Sequence, residues 1–210
     1  DKDMNDPNVY KLWQNGESVG IFQFESQGMT NFMKELKPDC LEDIIAGVSL
    51  YRPGPMDQIP RYIKNKKDPE HAVYTHPALK PILEVTYGCM VYQEQVMQIV
   101  RDLAGYSLGR ADLVRRAMGK KKLDVMAKER EVFINGQVDE NGNIIVPGCV
   151  RNGIDAESAN KIFDEMAEFA KYAFNKSHAA CYAVVAYRTA YLKAYYPTEF
   201  MAAMLNSFLG

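Results

Sequence analysis

Helix breakers set at short intervals constrain this chain more than any other feature. Pro53 and Pro55 flank Gly54 after one apolar run, Gly88, Gly105 and Gly119 interrupt the middle, and Pro197 divides the last stretch. Proline fixes φ and removes a backbone donor, and glycine readily takes the left-handed turn that ends a helix. Between breakers, apolar residues recur at helical spacing: Ile44, Ile45, Val48 and Leu50, then Met90, Met97 and Val100, then Ile162, Phe163, Met166 and Phe169. Asp39 is placed to cap the helix that carries Ile44, with Glu42 three positions on as in a capping box. Ser107 suits the cap of a helix to about Met118, and further helices are expected over 123–133, 156–172, 179–196 and 198–209. Residues 136–149 break the pattern: Asn141-Gly142 lies between short β-prone runs, a hairpin signal. The expected class is mainly α, with one small β-hairpin near 137–147.

At 210 residues with 47% apolar and 25% charged, the chain can bury a real core and is not disordered. Its length suits one large domain over 1–210, or two sub-lobes of about 1–105 and 106–210. Four widely separated cysteines with no CxxC support neither a zinc site nor a disulfide scaffold, and Cys89 and Cys181 read as small core residues. No apolar run approaches the roughly 20 residues that cross a bilayer, and the start has no basic-then-apolar signal pattern. A cytoplasmic protein without a membrane partner is expected. No initiator Met begins the sequence, and Gly210 follows an unfinished helical pattern, as in a piece of a longer protein.

The 25 Lys and Arg are nearly balanced by 27 Asp and Glu, so net charge gives no general case for nucleic acid. Distribution says more. Arg110, Arg115, Arg116, Lys120, Lys121 and Lys122 crowd residues 110–122 against Asp112 alone. Planar arginine forks beside mobile lysines suit a shared phosphate. A solvated basic surface, with cations favoured at a helix C-terminus, is the competing reading. Asn175, Lys176, Ser177 and His178 form a second unusual segment between two apolar helices. Asn175 or Ser177 can cap the following helix, whose N-terminus could take an anion with Lys176 and His178 beside it, or the segment is a plain polar turn. Arg52 sits on a stiff Pro-Gly-Pro turn as a positioned cation. Glu94 has no second carboxylate at fitting spacing, and no DxD, HExxH or GxxxxGK[ST] occurs, so metal catalysis is not supported.

Several longer segments carry a family resemblance: GIFQFESQGM (20–29), LKPDCLEDIIAGVSLYRPGPM (36–56), THPALKPILEVTYGCMVYQEQVMQI (75–99), GYSLGRADLVRRAMGKKK (105–122) and the run from Ile162 to Leu205 containing YAFNKSHAACYA. In order and spacing, the chain resembles the alpha subunits of bacterial DNA polymerase III, the C-family replicative polymerases, over nearly its whole length. The resemblance implies a helical fingers domain, with DNA primer–template, dNTP, the palm and thumb of the same subunit and other replisome components as partners. It implies dNTP or DNA-phosphate contacts for Arg52, Arg115, Arg116, Lys120, Asn175, Lys176 and His178. Arg110 and Ala173 stand where family members often carry glycine, and 137–150 resembles a lineage-specific insertion. The family's Mg²⁺-binding carboxylates belong to the palm, upstream of this segment, and nothing here matches them. The chain alone is therefore expected to bind no cofactor, to hold no catalytic or metal-ligating residue, and to be inactive. The alternative is a stand-alone helical module that binds nucleic acid without sequence preference through its basic face.

Overall fold

The computed structural model describes residues 3–209. Within them eleven α-helices and one hairpin succeed one another. They are α1 (Pro7–Asn15), α2 (Gln27–Leu36), α3 (Leu41–Leu50), α4 (Ile59–Lys67), α5 (Lys80–Leu83), α6 (Gln93–Ala104), α7 (Leu108–Gly119) and α8 (Leu123–Asn135). The strands β1 (Gln137–Val138) and β2 (Ile144–Val146) follow, then α9 (Ala156–Phe169), α10 (Lys176–Tyr195) and α11 (Pro197–Ser207). The fold is mainly α with a single small hairpin, as the breaker pattern demands. Among the described residues no helix is long and apolar enough to cross a membrane. The chain divides into two compact units, Asp1–Ile59 with Lys176–Gly210, and Pro60–Asn175. Gly105 and the hairpin both lie inside the second unit, away from either boundary.

In the first unit, α10 packs on α3 and α1. Ala179, Ala183, Ala186 and Ala190 are completely buried along α10, at alternating steps of four and three, and these small side chains let α3 approach closely. That stripe decides the other faces of α10. Cys181, expected in the core, is exposed because it projects from another side of the helix. Around the stripe, Trp13 meets Phe24 edge-on at 5.6 Å between ring centres, and Tyr10 tilts against Trp13 and Tyr187. The start of α3 also differs from expectation. Cys40 is its cap residue and makes no side-chain cap bond, while the buried Asp43 carboxylate accepts from the Asp39 backbone N–H at 3.1 Å. The carboxylate that reaches back is thus that of Asp43 and not of Glu42, and it takes the N–H of the residue before the cap, outside the capping-box pattern.

The second unit buries the facing stripes of four helices. Val96, Ile99 and Leu103 of α6, Val114 and Met118 of α7, Phe133 of α8, and Ile162, Phe163 and Met166 of α9 share one core. The hairpin pairs Gln137 with Val146 and Val138 with Ile144. Asp139 organises its turn by accepting from the N–H groups of Asn141 and Asn143 at 2.9 and 2.8 Å. The hairpin's base is fixed to the helices through Gly148 N–H to Ala104 O at 2.9 Å and Cys149 N–H to Phe133 O at 2.8 Å. Gly136 is required here: its φ is +83°, and a Cβ would lie 2.3 Å from the Pro147 carbonyl oxygen.

Candidate functional site

The basic run occupies the end of α7 and the turn into α8. Ser107 starts α7 by accepting from the Arg110 N–H at 3.3 Å. Twelve residues later the helix stops at Gly119, Lys121 takes a left-handed φ of 51°, and α8 resumes at Leu123. Between α7 and α8 lies a groove of about 640 Å³. Leu113, Val114, Ala117 and Val125 give it apolar lining, Arg116, Lys120 and Lys122 give it cations, and Arg110 and Glu129 complete its wall. Lys120 and Lys122 are exposed. A helix C-terminus stabilises these charges in the absence of any ligand.

The arginines of the run have different surroundings. Arg110 is engaged elsewhere: its guanidinium donates to Gln137 Oε1 at 2.6 Å and to Glu129 at 3.1 Å, and it lies over the Tyr106 ring. Arg115, with only 19% of its side chain exposed, donates through Nε and Nη2 to Asp112 Oδ1 at 3.1 and 2.7 Å. Arg116 is 63% exposed and places Nε 2.7 Å from Asp112 Oδ2. The hydrogen bond from Arg115 and the charge of Arg116 hold the Asp112 carboxyl below its usual range. Sequence reasoning counted Asp112 only as a minus one. Its position three and four residues before the two arginines was the available signal that it could reach both.

Asn175 closes the second unit. Just before it, Ala173 and Phe174 run parallel to Val91–Gln93, with Gln93 N–H on Phe174 O at 2.9 Å and Gln93 Nε2 on Ala173 O at 3.2 Å. The buried Gln95 supports that strip: its Oε1 accepts from the N–H groups of Val91 and Tyr92, and its Nε2 donates to Thr86 Oγ1 at 2.8 Å. Neither role was read from the sequence.

The first unit carries Arg52, Lys176 and His178. Lys176 opens α10, so Asn175 falls just before the helix and Ser177 inside its first turn. A cation at a helix N-terminus is unfavourable, and Glu42 at 3.0 Å offsets it. His178 meets Tyr182 edge-on at 4.6 Å, and Tyr182 stacks on Phe22 at 5.4 Å with planes 7° apart. Arg52 is half-buried and donates Nε–H to Ser49 O at 3.0 Å. Burial lowers its pKa, yet a guanidinium stays charged at neutral pH. The candidates therefore fall into two sets. Arg115, Arg116, Lys120 and Asn175 belong to one compact unit, and Arg52, Lys176 and His178 to the other.

Among the described residues one group of three ligand-type side chains comes together, Asp39, Cys40 and Asp43. It does not suit Mg²⁺, which prefers an octahedron of oxygens. The Cys40 thiol is pushed up to about 11 by burial and by Asp43, so it stays protonated, and Asp43 is occupied at the start of α3.

The structure is thus a helical fold whose basic run gathers at the end of α7 and the turn into α8. Residues 1–141 match the model of the bacterial DNA polymerase III alpha subunit finger domain. The DNA polymerase III subunit alpha of Chlamydia muridarum is 52% identical over 206 residues, covering 97% of this chain and 15% of that protein. Its counterpart in Thermus aquaticus is 51% identical over 208 residues, covering 97% and 16%, and that of Pasteurella multocida 50% over 214 residues, covering 97% and 17%. The chain belongs to the finger-domain family of bacterial DNA polymerase III alpha subunits. It spans about a sixth of the length of these relatives.

Proposed function

We propose that this chain handles substrate for a DNA-directed DNA polymerase, and that the end of α7 receives the triphosphate of the incoming dNTP. The observation that carries this reading is the exposed Arg116 fork beside Lys120 and Lys122 on one groove. Charge-assisted contacts to phosphate oxygens are short and strong, and a planar fork adds direction that ammonium groups lack. Arg115, more enclosed, supports Arg116 and adds its charge. Lys176 and His178 at the start of α10, Asn175 just before it, and Arg52 are assigned to nucleotide or DNA phosphate, within the unit that holds each.

Phosphoryl transfer depends on metal ions bridging phosphate oxygens and on an aligned nucleophile. Mg²⁺ bound by palm carboxylates would supply that chemistry in the full-length subunit. The residues of this chain would bind and orient the nucleotide, and primer–template and the palm would be its partners. The isolated chain is accordingly inactive, and Mg²⁺-dependent nucleotide incorporation by it would contradict this assignment. In the full-length subunit, Arg116→Ala is expected to lower kcat/KM for dNTP by about 10- to 100-fold. Unchanged steady-state incorporation kinetics would remove Arg116 from the site.

A further inference from the structure

Asp112 is the one acidic residue within the basic run, and it faces both arginines assigned to phosphate. A carboxylate beside an anion site is counterproductive unless it does something for the cations, because it cancels one of their charges and repels the ligand. Its geometry points to what it does. Oδ1 accepts hydrogen bonds from Nε and Nη2 of Arg115 at 3.1 and 2.7 Å, and Oδ2 forms an ion pair with Arg116, whose Nε lies 2.7 Å away, one oxygen for each guanidinium. An arginine has five N–H donors. The ion pair of Arg116 approaches its Nε edge, on a side chain 63% exposed, and the four donors of its two Nη groups lie at the other end of the guanidinium. Those four form the end-on fork that grips a phosphate in bidentate fashion. Spacing of three and four residues on one helix places all three side chains on a single face, and an acid preceding the base by four is the favoured order.

We infer that Asp112 is a positioning residue: by holding the Nε edges of Arg115 and Arg116 it fixes their rotamers and presents the Nη fork of Arg116 outward to the triphosphate. This rests on the substrate reading above. An arginine that is free to rotate must lose that freedom on binding, and a fork already held loses less.

The bland alternative is a helix-surface ion pair, and it differs in sign. If Asp112 merely neutralises, Asp112→Asn leaves one more net positive charge and dNTP binds as well or better. If it positions, the same variant binds dNTP less well in spite of the added charge. The test measures dNTP incorporation by the full-length subunit carrying Asp112→Asn, Asp112→Glu, Arg116→Ala, and Asp112→Asn in an Arg115→Ala/Arg116→Ala background. Asp112→Asn is expected to raise KM for dNTP about five- to tenfold with kcat changed by less than about twofold, and Asp112→Glu to restore most of the loss. In the arginine-less background Asp112→Asn should have no further effect, a non-additivity that a general folding defect would not produce. An unchanged or lower KM for Asp112→Asn, or full additivity with the arginine variants, overturns the positioning role while leaving the substrate reading intact. An unchanged KM for Arg116→Ala overturns the substrate reading, and the positioning role with it.

Discussion

Arg110 shows how a residue's chemistry depends on partners far along the chain. It belongs to the basic run by sequence, yet its guanidinium bridges Glu129 and Gln137 and covers Tyr106, whose hydroxyl donates to Glu129 Oε2 at 2.9 Å. Removing it leaves the Glu129 carboxylate, which is only 13% exposed, with the Tyr106 hydroxyl but without that cation, and Arg110→Ala should destabilise the second unit by about 2 kcal/mol. Chemical denaturation reads that loss directly. A change below a few tenths of a kcal/mol would mean that the network is not structural. Counting charges could not separate Arg110 from Arg116, because the deciding carboxylate lies nineteen residues away. Lys176 repeats the point, since its partner Glu42 lies on α3. Asp112 was within reach of sequence reasoning, because helical spacing alone sets its distance from Arg115 and Arg116.

Among elements, helices marked by a cap and a glycine stop were legible almost to the residue. Ser107 and Gly119 bound α7 in both sequence and structure, and α6 ends at the left-handed Gly105. Ser107→Ala should cost about 1 kcal/mol through the lost cap, measurable by thermal unfolding of the second unit. No loss would show that the Arg110 N–H finds another acceptor. The hairpin was also foreseen, because Asn-Gly is a turn signal that acts locally. Gly136 at its base was not singled out: its need comes from the approach of Pro147, eleven residues on. Gly136→Ala is expected to destabilise by about 1–3 kcal/mol and to loosen amide protection at Gly148 and Cys149. Wild-type stability in that variant would contradict the assigned geometry. Acid should act on element ends as well. Asp155 caps α9 through the Ser158 N–H at 2.8 Å, and Asp139 binds its own turn, so both carboxyls are held below their usual range by hydrogen bonds. Groups lowered in the folded state stabilise it above their unfolded pKa and lose that contribution as pH falls through the folded value. Helix content monitored from pH 6 down to about 2 should therefore fall at the acid end. A flat profile would deny these caps any role.

On the scale of the whole molecule, the sequence pattern announced helices but not how they are shared between units. Two lobes divided near 105 were one expectation, whereas the contacts gather residues 60–175 into one unit and return α10 and α11 to the first. Such closure depends on long-range packing, above all the alanine stripe of α10, which carries no local mark of its partner α3. A net charge of −2 concealed the basic run for a related reason: six cations fall within residues 110–122, while acids elsewhere along the sequence nearly cancel the sum. The central claim is that the α7 fork meets dNTP, and single-turnover incorporation tests it most directly. With Arg116→Ala in the full-length subunit, the dNTP Kd should rise about tenfold or more while the Kd for primer–template stays within about twofold. An unchanged dNTP Kd, or a loss confined to primer–template binding, would contradict it.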